Sequence, residues 1–371
     1  MTWRGHRLLW NVRRRGHQDG AGDTDDNGGA DGNNDRCAIV AAVSGFSSGV
    51  VEVVGFHYTQ TLRPDSPEDH CPIRGVKPWF NVVWEPAASV VIMRVATWNV
   101  NSIRSRVGRV VDWLVREDID VLGMQEIKAK PDQFPYDAFS EAGYEIELHG
   151  LNQWNGVAFA SRLPMSDVTV GFPLAPGFGK VDDAGDLPQE ARALGVTVDG
   201  VRLWSLYVPN GRELDNPHYP YKLEWLAKLA DATKTWLDAD PNLKLALMGD
   251  FNIAPLDTDV WDIAAFEGKT HVSQPERDAF TALLDAGLTD VLRSRGVEGY
   301  TYWDYQQLRF PRNEGMRIDF VLGSKSFTEL VTDAKIERNE RKGDAPSDHV
   351  PLVVDLDIAV AEDDDDRPMI F

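Results

Sequence analysis

The chain has 371 residues, a formal net charge of −21 and an isoelectric point near 4.7. Its hydrophobic content of 43% is enough for a sizeable core, in one large domain or in two smaller ones. The excess of acid argues against a protein that holds nucleic acid through a global positive field. Because the only two cysteines are Cys37 and Cys71, no disulfide framework supports the chain after Met93, which suits a reducing compartment.

The first 92 residues differ in composition from the rest. Residues 19–35 are rich in Asp, Gly and Asn, and no apolar periodicity lasts long enough to indicate an element. We therefore predict a low-complexity or disordered N-terminal extension over residues 1–92. A membrane span over residues 38–56 is not favoured, because Glu52, three serines and three glycines interrupt it.

Apolar patterns after Met93 predict alternating strands and helices. In chain order these are a strand over 94–100, a helix over 103–116, strands over 120–124, 144–149, 156–160, 194–198 and 201–207, a helix over 223–237, a strand over 243–248, a helix over 279–286, and strands over 300–304, 317–322 and 350–356. Asn101 or Ser102 is a plausible N-cap for the first helix. Asp199-Gly200 is typical of a two-residue hairpin turn.

This mixture of strands and helices, with hairpins among them, predicts an α/β fold. Two packed mixed β-sheets flanked by helices fit the pattern better than a doubly wound parallel sheet. Five consecutive acids at residues 362–366 predict a solvated acidic C-terminal tail over residues 359–371.

Polar residues adjoin several of these strands. Glu126 follows the strand over 120–124, Asp250 and Asn252 follow the strand over 243–248, and His349 precedes the last strand. Carboxylate and amide oxygens suit Mg²⁺ or Mn²⁺, and an imidazole can polarise a phosphoryl oxygen or move a proton. Each residue alone also has an ordinary structural explanation: a surface acid, a turn, a helix cap or a single hydrogen bond.

Taken together, an ordered set of motifs resembles one family. The motifs are Met-Arg-Val-Ala-Thr-Trp-Asn at 93–99, Gln125-Glu126, Asn155-Gly156, Tyr207-Val208-Pro209-Asn210, Gly249-Asp250-Phe251-Asn252, Arg317-Ile318-Asp319 and Ser347-Asp348-His349. From Met93 to about residue 358 the chain resembles the exonuclease III branch of the endonuclease/exonuclease/phosphatase superfamily, the abasic-site repair nucleases. The resemblance implies a four-layered, deoxyribonuclease I-like α/β sandwich and a catalytic domain over residues 93–358.

The resemblance also implies residue roles. Metal ligands, for Mg²⁺ or Mn²⁺, would come from Asn99, Glu126, Asp250, Asn252, Asp348 and His349. The catalytic set would be Tyr207, Asp250, Asn252, Asp319 and His349, with Asp250 orienting or deprotonating the attacking water and Asp319 orienting His349. Phosphate or DNA contacts would come from Asn210, Arg212, Lys128 and Arg317.

An abasic-sugar pocket is implied by a further resemblance, walled by Tyr302, Met316 and Ile318. An apolar slot there would admit a flipped-out deoxyribose without its base. Met316 stands where some members have Trp, which puts the shape of the pocket in doubt. The alternative is that the aromatic run at 300–303 is an ordinary core strand.

The resemblance implies a metal-dependent DNA-repair phosphodiesterase: a 3′-to-5′ exodeoxyribonuclease on duplex DNA, with abasic-site endonuclease and 3′-end-cleaning activity. Its partner would be double-stranded DNA with abasic sites or 3′ ends, and we expect a cytoplasmic, nucleoid-associated monomer with no membrane contact. The alternatives are a superfamily phosphodiesterase or phosphatase acting on RNA or on another phosphoester, and a catalytically inactive DNA-binding protein. We also expect Met93 to be the natural start, with residues 1–92 as translated upstream sequence; the alternative is a genuine appended region.

Overall fold

The computed structural model describes residues 40–41, 56–57, 90–181, 185 and 187–359. The chain divides into two compact units, residues 1–83 and 84–371. Most of the predicted extension, the interior of the candidate span 38–56 and the tail beyond residue 359 lie outside the described residues, so those predictions stay open. Within the described part of the chain, no helix has the length and apolar character needed to cross a membrane.

The first unit contributes one pair of short antiparallel strands, β1 (Val40–Ala41) and β2 (Phe56–His57). The strands described in the second unit are β3 (Val90–Asn99), β4 (Val121–Gln125), β5 (Glu145–His149), β6 (Val157–Ser161), β7 (Ser166–Val170), β8 (Ala193–Val198), β9 (Val201–Tyr207), β10 (Leu245–Asp250), β11 (Leu288–Asp290), β12 (Asp319–Ser324), β13 (Val331–Ile336) and β14 (Leu352–Ala359). The α-helices are α1 (Ile103–Arg116), α2 (Tyr136–Glu141), α3 (His218–Ala239), α4 (Gln274–Asp285), α5 (Val291–Ser294) and α6 (Lys325–Leu330).

The strands of the second unit form two six-stranded sheets. One has the order β11-β12-β10-β9-β8-β7 and the other has the order β13-β14-β3-β4-β6-β5. Each sheet contains one parallel pair, β9 with β10 and β3 with β4, and its other neighbours are antiparallel. Both sheets are therefore mixed, as the sequence predicts.

Three hydrophobic clusters separate the layers. The central cluster joins the inner faces of the two sheets, for example Val95 and Phe159 from one sheet with Leu203 and Met248 from the other. A second cluster packs α3 and α4 on the outer face of one sheet, and a third packs α1 and α2 on the outer face of the other. Burial of these apolar faces on both sides of each sheet gives helix, sheet, sheet and helix layers, which confirms the predicted four-layered sandwich.

The predicted strand over residues 300–304 is wrong. Its backbone N–H groups donate to two different segments, since Tyr302 donates to Met316 O and Trp303 donates to Asp348 O, each at 2.9 Å. Only isolated single-residue bridges result. The aromatic run is therefore a connecting segment that is hydrogen-bonded to two loops, and it belongs to neither six-stranded sheet.

Gly249 is required where β10 turns into the polar segment that follows it. Its φ is +141°, and a Cβ there would lie 2.0 Å from the carbonyl oxygen of Leu206 in the neighbouring strand. Backbone must therefore move to accommodate any side chain at this position.

We predict that Gly249→Ala lowers the free energy of unfolding by about 2–4 kcal/mol, because it combines an unfavourable φ with a backbone clash. Urea denaturation measures the change. Gly108→Ala is the matched control: this glycine lies inside α1 and a Cβ there meets nothing within 4 Å. It should stabilise the protein by about 0.5–1 kcal/mol. Equal stabilities for the two variants would contradict the packing account.

Candidate active site

The two parallel strand pairs end at the same edge of the sandwich. In one sheet, Asn99 at the end of β3 lies beside Gln125 at the end of β4, and in the other, Tyr207 at the end of β9 lies beside Asp250 at the end of β10. Parallel neighbours point their carboxyl ends in one direction, so the polar residues that follow must gather there.

A metal-ligating group occupies this edge. Ligand atoms of Glu126, Asp250 and His349 all lie within 4.8 Å of one another. The Asn99 amide nitrogen donates to Glu126 Oε1 and to Asp250 Oδ2, each at 2.9 Å. The chemistry of this group fits a divalent cation, because its two carboxylates offer hard oxygen ligands.

Three other predicted metal ligands do not belong to this group. Asn99 reaches the site, but its oxygen accepts the Asn101 backbone N–H at 3.0 Å, so the residue meets the carboxylates as a donor. Asp348 lies outside the three-residue group and accepts from the Asn101 side chain at 2.9 Å. Asn252 uses its amide nitrogen on Val208 O and its oxygen on the Asn210 amide.

Asp250 is the most deeply buried acid of the site. Burial raises the pKa of Asp250 to about 7; the neighbouring carboxylates of Asp319 and Glu126 add to the rise, whereas His349 opposes it. For Glu126, burial would raise the pKa, but Lys128 and Asn99 outweigh burial and lower the pKa of this carboxyl. Two neighbouring carboxylates are thereby given different proton affinities, as an acid–base site requires.

His349 is hydrogen-bonded to Asp319. Its Nδ1 lies 2.9 Å from Asp319 Oδ2, and its Nε2 lies 3.7 Å from Asp250 Oδ2. Burial alone would lower the pKa of His349, but the carboxylates of Asp319 and Asp250 outweigh burial and raise it to about 10. Thr301 supports this arrangement from behind, because its hydroxyl oxygen accepts the backbone N–H groups of Ile318 and Asp319, each at 3.1 Å.

Tyr207 lies at the same strand edge. Burial, together with Glu126 and Asp250, raises the pKa of Tyr207 well above its usual value, so the phenol keeps its proton. The Arg192 guanidinium lies 4.8 Å from the centre of the Tyr207 ring. The tyrosine is thus presented as a neutral hydrogen-bond donor.

Two asparagines form the opposite side of the site. Asn210, which follows β9, donates from its amide to Asn252 Oδ1 at 2.8 Å and lies 3.3 Å from His271 Nε2. Burial and the charge of Lys222 lower the pKa of His271 to about 3, so its imidazole is neutral. The backbone N–H of Asn252 donates to Asp250 Oδ1 at 2.9 Å, which ties the amide side of the site to its acidic side.

The predicted abasic-pocket residues come together. Tyr302, Met316 and Ile318 share one small apolar cluster with Ala254 and Val260. The ring of Tyr302 lies 4.9 Å from the imidazole of His349. An apolar surface therefore adjoins the acidic cluster directly.

The phosphate contact expected of Arg317 is wrong. Only 2% of this residue is exposed, and its guanidinium makes two hydrogen bonds of 2.7 Å to Asp290. The family resemblance implied a phosphate contact for Arg317, but its guanidinium is held in this buried ion pair with Asp290, a tertiary contact that the motif does not show.

The other two basic residues among the predicted DNA contacts lie at the rim of the site. Lys128 is partly exposed, and its ammonium lies 2.8 Å from Glu126 Oε2 and 2.6 Å from Asn101 Oδ1. Arg212 is exposed on the segment after Asn210 and takes part in no ion pair within the described part of the chain. Arg162 and Arg309, also basic residues near the motifs, are paired with Asp120 and Glu314.

The buried pair of Lys222 and Glu276, which lies behind the asparagines, is not among the residues predicted from the sequence. The sequence does contain one indication that Lys222 is buried. Lys222 is four and seven positions before Leu226 and Leu229, so it belongs to the buried stripe of α3. A charged residue in an apolar stripe calls for a buried partner, but the sequence does not show which of the distant acids supplies it.

Comparison with known proteins gives consistent matches. A model described as the Endonuclease/Exonuclease/phosphatase family matches residues 96–349. The chain is similar to a 3′ phosphatase from Neisseria bound to a product DNA hairpin, with 38% identity, 71% of this chain and 99% of that chain covered, and a TM-score of 0.65. It is similar to an AP endonuclease from Archaeoglobus fulgidus, with 32% identity, coverage of 72% and 100%, and a TM-score of 0.65. The exodeoxyribonuclease III of Haemophilus influenzae is 28% identical over 279 residues, which cover 70% of this chain and 98% of that protein.

We predict that Asp319→Asn lowers the pKa of the His349 imidazole from about 10 by about 1 to 3, because the carboxylate that stabilises the protonated ring is lost while the shape is kept. An NMR pH titration of His349 in the metal-free protein measures it. Asp333→Asn, at an exposed position of β13, is the control and should leave the titration unchanged. A His349 pKa that stays near 10 in the Asp319 variant would refute the electrostatic role.

Proposed function

The chain belongs to the endonuclease/exonuclease/phosphatase family, and on that premise we propose that it is a metal-dependent DNA-repair phosphodiesterase. Its reactions would be 3′-to-5′ removal of nucleotides from duplex DNA, incision at abasic sites and cleaning of 3′ ends. The chain is a hydrolytic nuclease by its relatives, which include an exodeoxyribonuclease III and an AP endonuclease. One observation carries the proposal. The group of Glu126, Asp250 and His349, in which Glu126 is partly buried and the other two are buried, faces an apolar cluster on one side and an amide pair on the other.

The reaction requires a water aimed at phosphorus, neutralisation of charge on the phosphoryl oxygens and a stabilised leaving oxygen. Asp250, with its pKa raised to about 7, would orient the water and accept its proton. His349, protonated because Asp319 and Asp250 raise its pKa, would face the charge on a phosphoryl oxygen. Tyr207, which keeps its proton, would donate to the phosphate or to the leaving oxygen.

Glu126 and Asp250 would hold the cation, with the protonated His349 beside it, and we propose Mg²⁺ or Mn²⁺ because carboxylate oxygens are the ligands that these ions prefer. When bound, such an ion supplies positive charge that polarises the phosphoryl group and stabilises the leaving oxygen. Asn99 would fix the relative position of the two carboxylates by donating a hydrogen bond to each. Asn210 and Asn252 would present amides to the scissile phosphate, and Arg212 would meet the neighbouring backbone.

Specificity for a damaged site would come from the cluster of Tyr302, Met316 and Ile318. A sugar without a base can be flipped into an apolar slot that is too small for a whole nucleotide. We further propose that residues 93–358 form the catalytic domain, that the enzyme acts as a monomer, and that it works in the cytoplasm on the nucleoid.

The deciding assay compares a duplex with one abasic-site analogue, a duplex with a recessed 3′ end, and an RNA strand of the same sequence, each with and without Mg²⁺. We expect cation-dependent cleavage of both DNA substrates and little cleavage of RNA. Preferential cleavage of RNA would favour the alternative phosphodiesterase function. Binding without cleavage of any substrate would favour an inactive DNA-binding protein.

We predict that Asp250→Asn and His349→Ala each lower kcat by at least about 10³-fold, because the water-orienting group or the phosphoryl-facing imidazole is lost. Both variants should keep cooperative unfolding, since neither side chain belongs to a hydrophobic cluster. Initial rates on the abasic duplex measure the effect, with Asp333→Asn as the control. Wild-type turnover by either purified variant would refute the assignment.

We predict that DNA affinity is weak and falls steeply with salt, because only a few exposed basic side chains attract DNA to a chain of net charge −21. Arg212→Ala should reduce the slope of log K against log salt by about 1. Arg162→Ala is the control, because its guanidinium lies 2.7 Å from Asp118 and 2.7 Å from Asp120. An affinity that does not change with salt would contradict this account.

A further inference from the structure

A buried ion pair lies behind the two asparagines of the site. Lys222 of α3 and Glu276 of α4 have 0% of their side chains exposed, and their charged groups are hydrogen-bonded to each other. A buried charge is costly unless it is paired and its remaining hydrogen-bonding positions are satisfied. The contacts of each partner therefore indicate what the pair does.

The carboxylate of Glu276 is satisfied by its own neighbourhood. Thr270 donates from its hydroxyl to Oε1 at 2.6 Å, and Ser273 donates to Oε2 from its hydroxyl at 2.6 Å and from its backbone N–H at 3.2 Å. Glu276 is also the capping-box residue at the start of α4. The acid is thus held rigidly and gives the ammonium of Lys222 a fixed anchor.

The ammonium directs its other two donors at the active-site backbone. Lys222 Nζ lies 2.7 Å from the carbonyl oxygen of Asn252 and 3.3 Å from the carbonyl oxygen of Asn210. These carbonyls belong to the segments after β10 and β9, which are about forty residues apart in the chain, and the two side-chain amides meet at 2.8 Å. One cation therefore joins the backbones of both residues that present amides to the site.

Both segments need such support, because each contains a non-glycine residue in a left-handed conformation. Asn252 has φ +53°, and Arg212, two positions after Asn210, has φ +59°. Asn252 is not a glycine, so its conformation persists only where the surroundings impose it. A Cβ at Gly211 would lie 3.2 Å from Lys222 Cδ, which shows how closely this turn packs on the lysine.

We propose that Lys222, anchored by Glu276, is a positioning residue that sets the Asn210–Asn252 amide pair for a phosphodiester. The proposal rests on the proposed function, in which these amides contact the scissile phosphate. Since the ammonium is wholly buried, it acts through the two carbonyls and not by touching substrate. A pair that only linked α3 to α4 would affect stability and leave the alignment of the amides unchanged.

The test is the double variant Lys222→Met with Glu276→Gln, which removes both charges and leaves no unpaired carboxylate. We expect kcat on the abasic duplex to fall about 100-fold, with KM changed less than about threefold, because misplaced groups weaken the transition state more than substrate binding. The matched control is Lys234→Met with Asp238→Asn, an exposed ion pair on the same helix with side chains 66% and 65% exposed. It should match wild type.

A double-mutant cycle shows the route of the effect. In an Asn210→Ala, Asn252→Ala background, the Lys222→Met, Glu276→Gln change should cost less than about threefold in kcat, because both groups being positioned are already gone. Full additivity, or a kcat within threefold of wild type in the folded double variant, overturns the proposal. If the double variant does not unfold cooperatively, Thr270→Val replaces it: loss of one hydrogen bond to Glu276 should lower kcat about tenfold, and an unchanged kcat again overturns the proposal.

Failure of the inference and failure of the proposed function give different results. An active wild type with an unaffected Lys222 variant refutes the positioning role alone. A wild type that cleaves no abasic or recessed duplex with Mg²⁺ refutes the proposed function and this inference together.

Discussion

The structure depends on one constraint: acidic side chains are concentrated and buried where two sheets bring their strand ends together. Each sheet has one parallel pair, and all four of those strands end at the same edge. Burial and mutual repulsion raise the pKa of Asp250, and the site is tolerated because Asn99, His349 and Lys128 oppose that repulsion. A divalent cation is the remaining counter-charge that this donor set fits.

The two halves of the site meet in one turn. Asp250 belongs to the acidic half and Asn252 to the amide half, and Gly249 lets β10 approach β9 closely enough for both to reach their partners. Below this turn, Gln125 joins the sheets, because its amide donates to Thr97 in its own sheet and to Ser205 in the other. The side chains of the site therefore lie at the junction between the two sheets, where buried polar contacts fix the relative position of the sheets.

The sequence predicts the sandwich well because both faces of each sheet are covered, so most strands show apolar runs and end in polar motifs. It misses β7, which is exposed at every position and has no buried face to reveal it. It mistakes the aromatic segment 300–304 for a strand, since aromatic residues pack equally well in a buried connection. The motifs locate Glu126, Asp250 and His349 because chain order and strand ends carry that information. The motifs do not show that Arg317 is buried in an ion pair, or that Lys222 forms an ion pair with Glu276, because those contacts depend on tertiary packing.

The central claim is that the carboxylates of Glu126 and Asp250, beside His349, form a cation site at the junction between the sheets. Its most direct measurement is the thermal unfolding midpoint of the catalytically competent full chain, titrated with Mg²⁺, for wild type and Glu126→Gln. Linkage predicts a midpoint that rises with Mg²⁺ in wild type, because the ion binds the folded cluster, and a much smaller rise in the variant. A wild-type midpoint that Mg²⁺ leaves unchanged, or an equal rise in both proteins, would contradict the account.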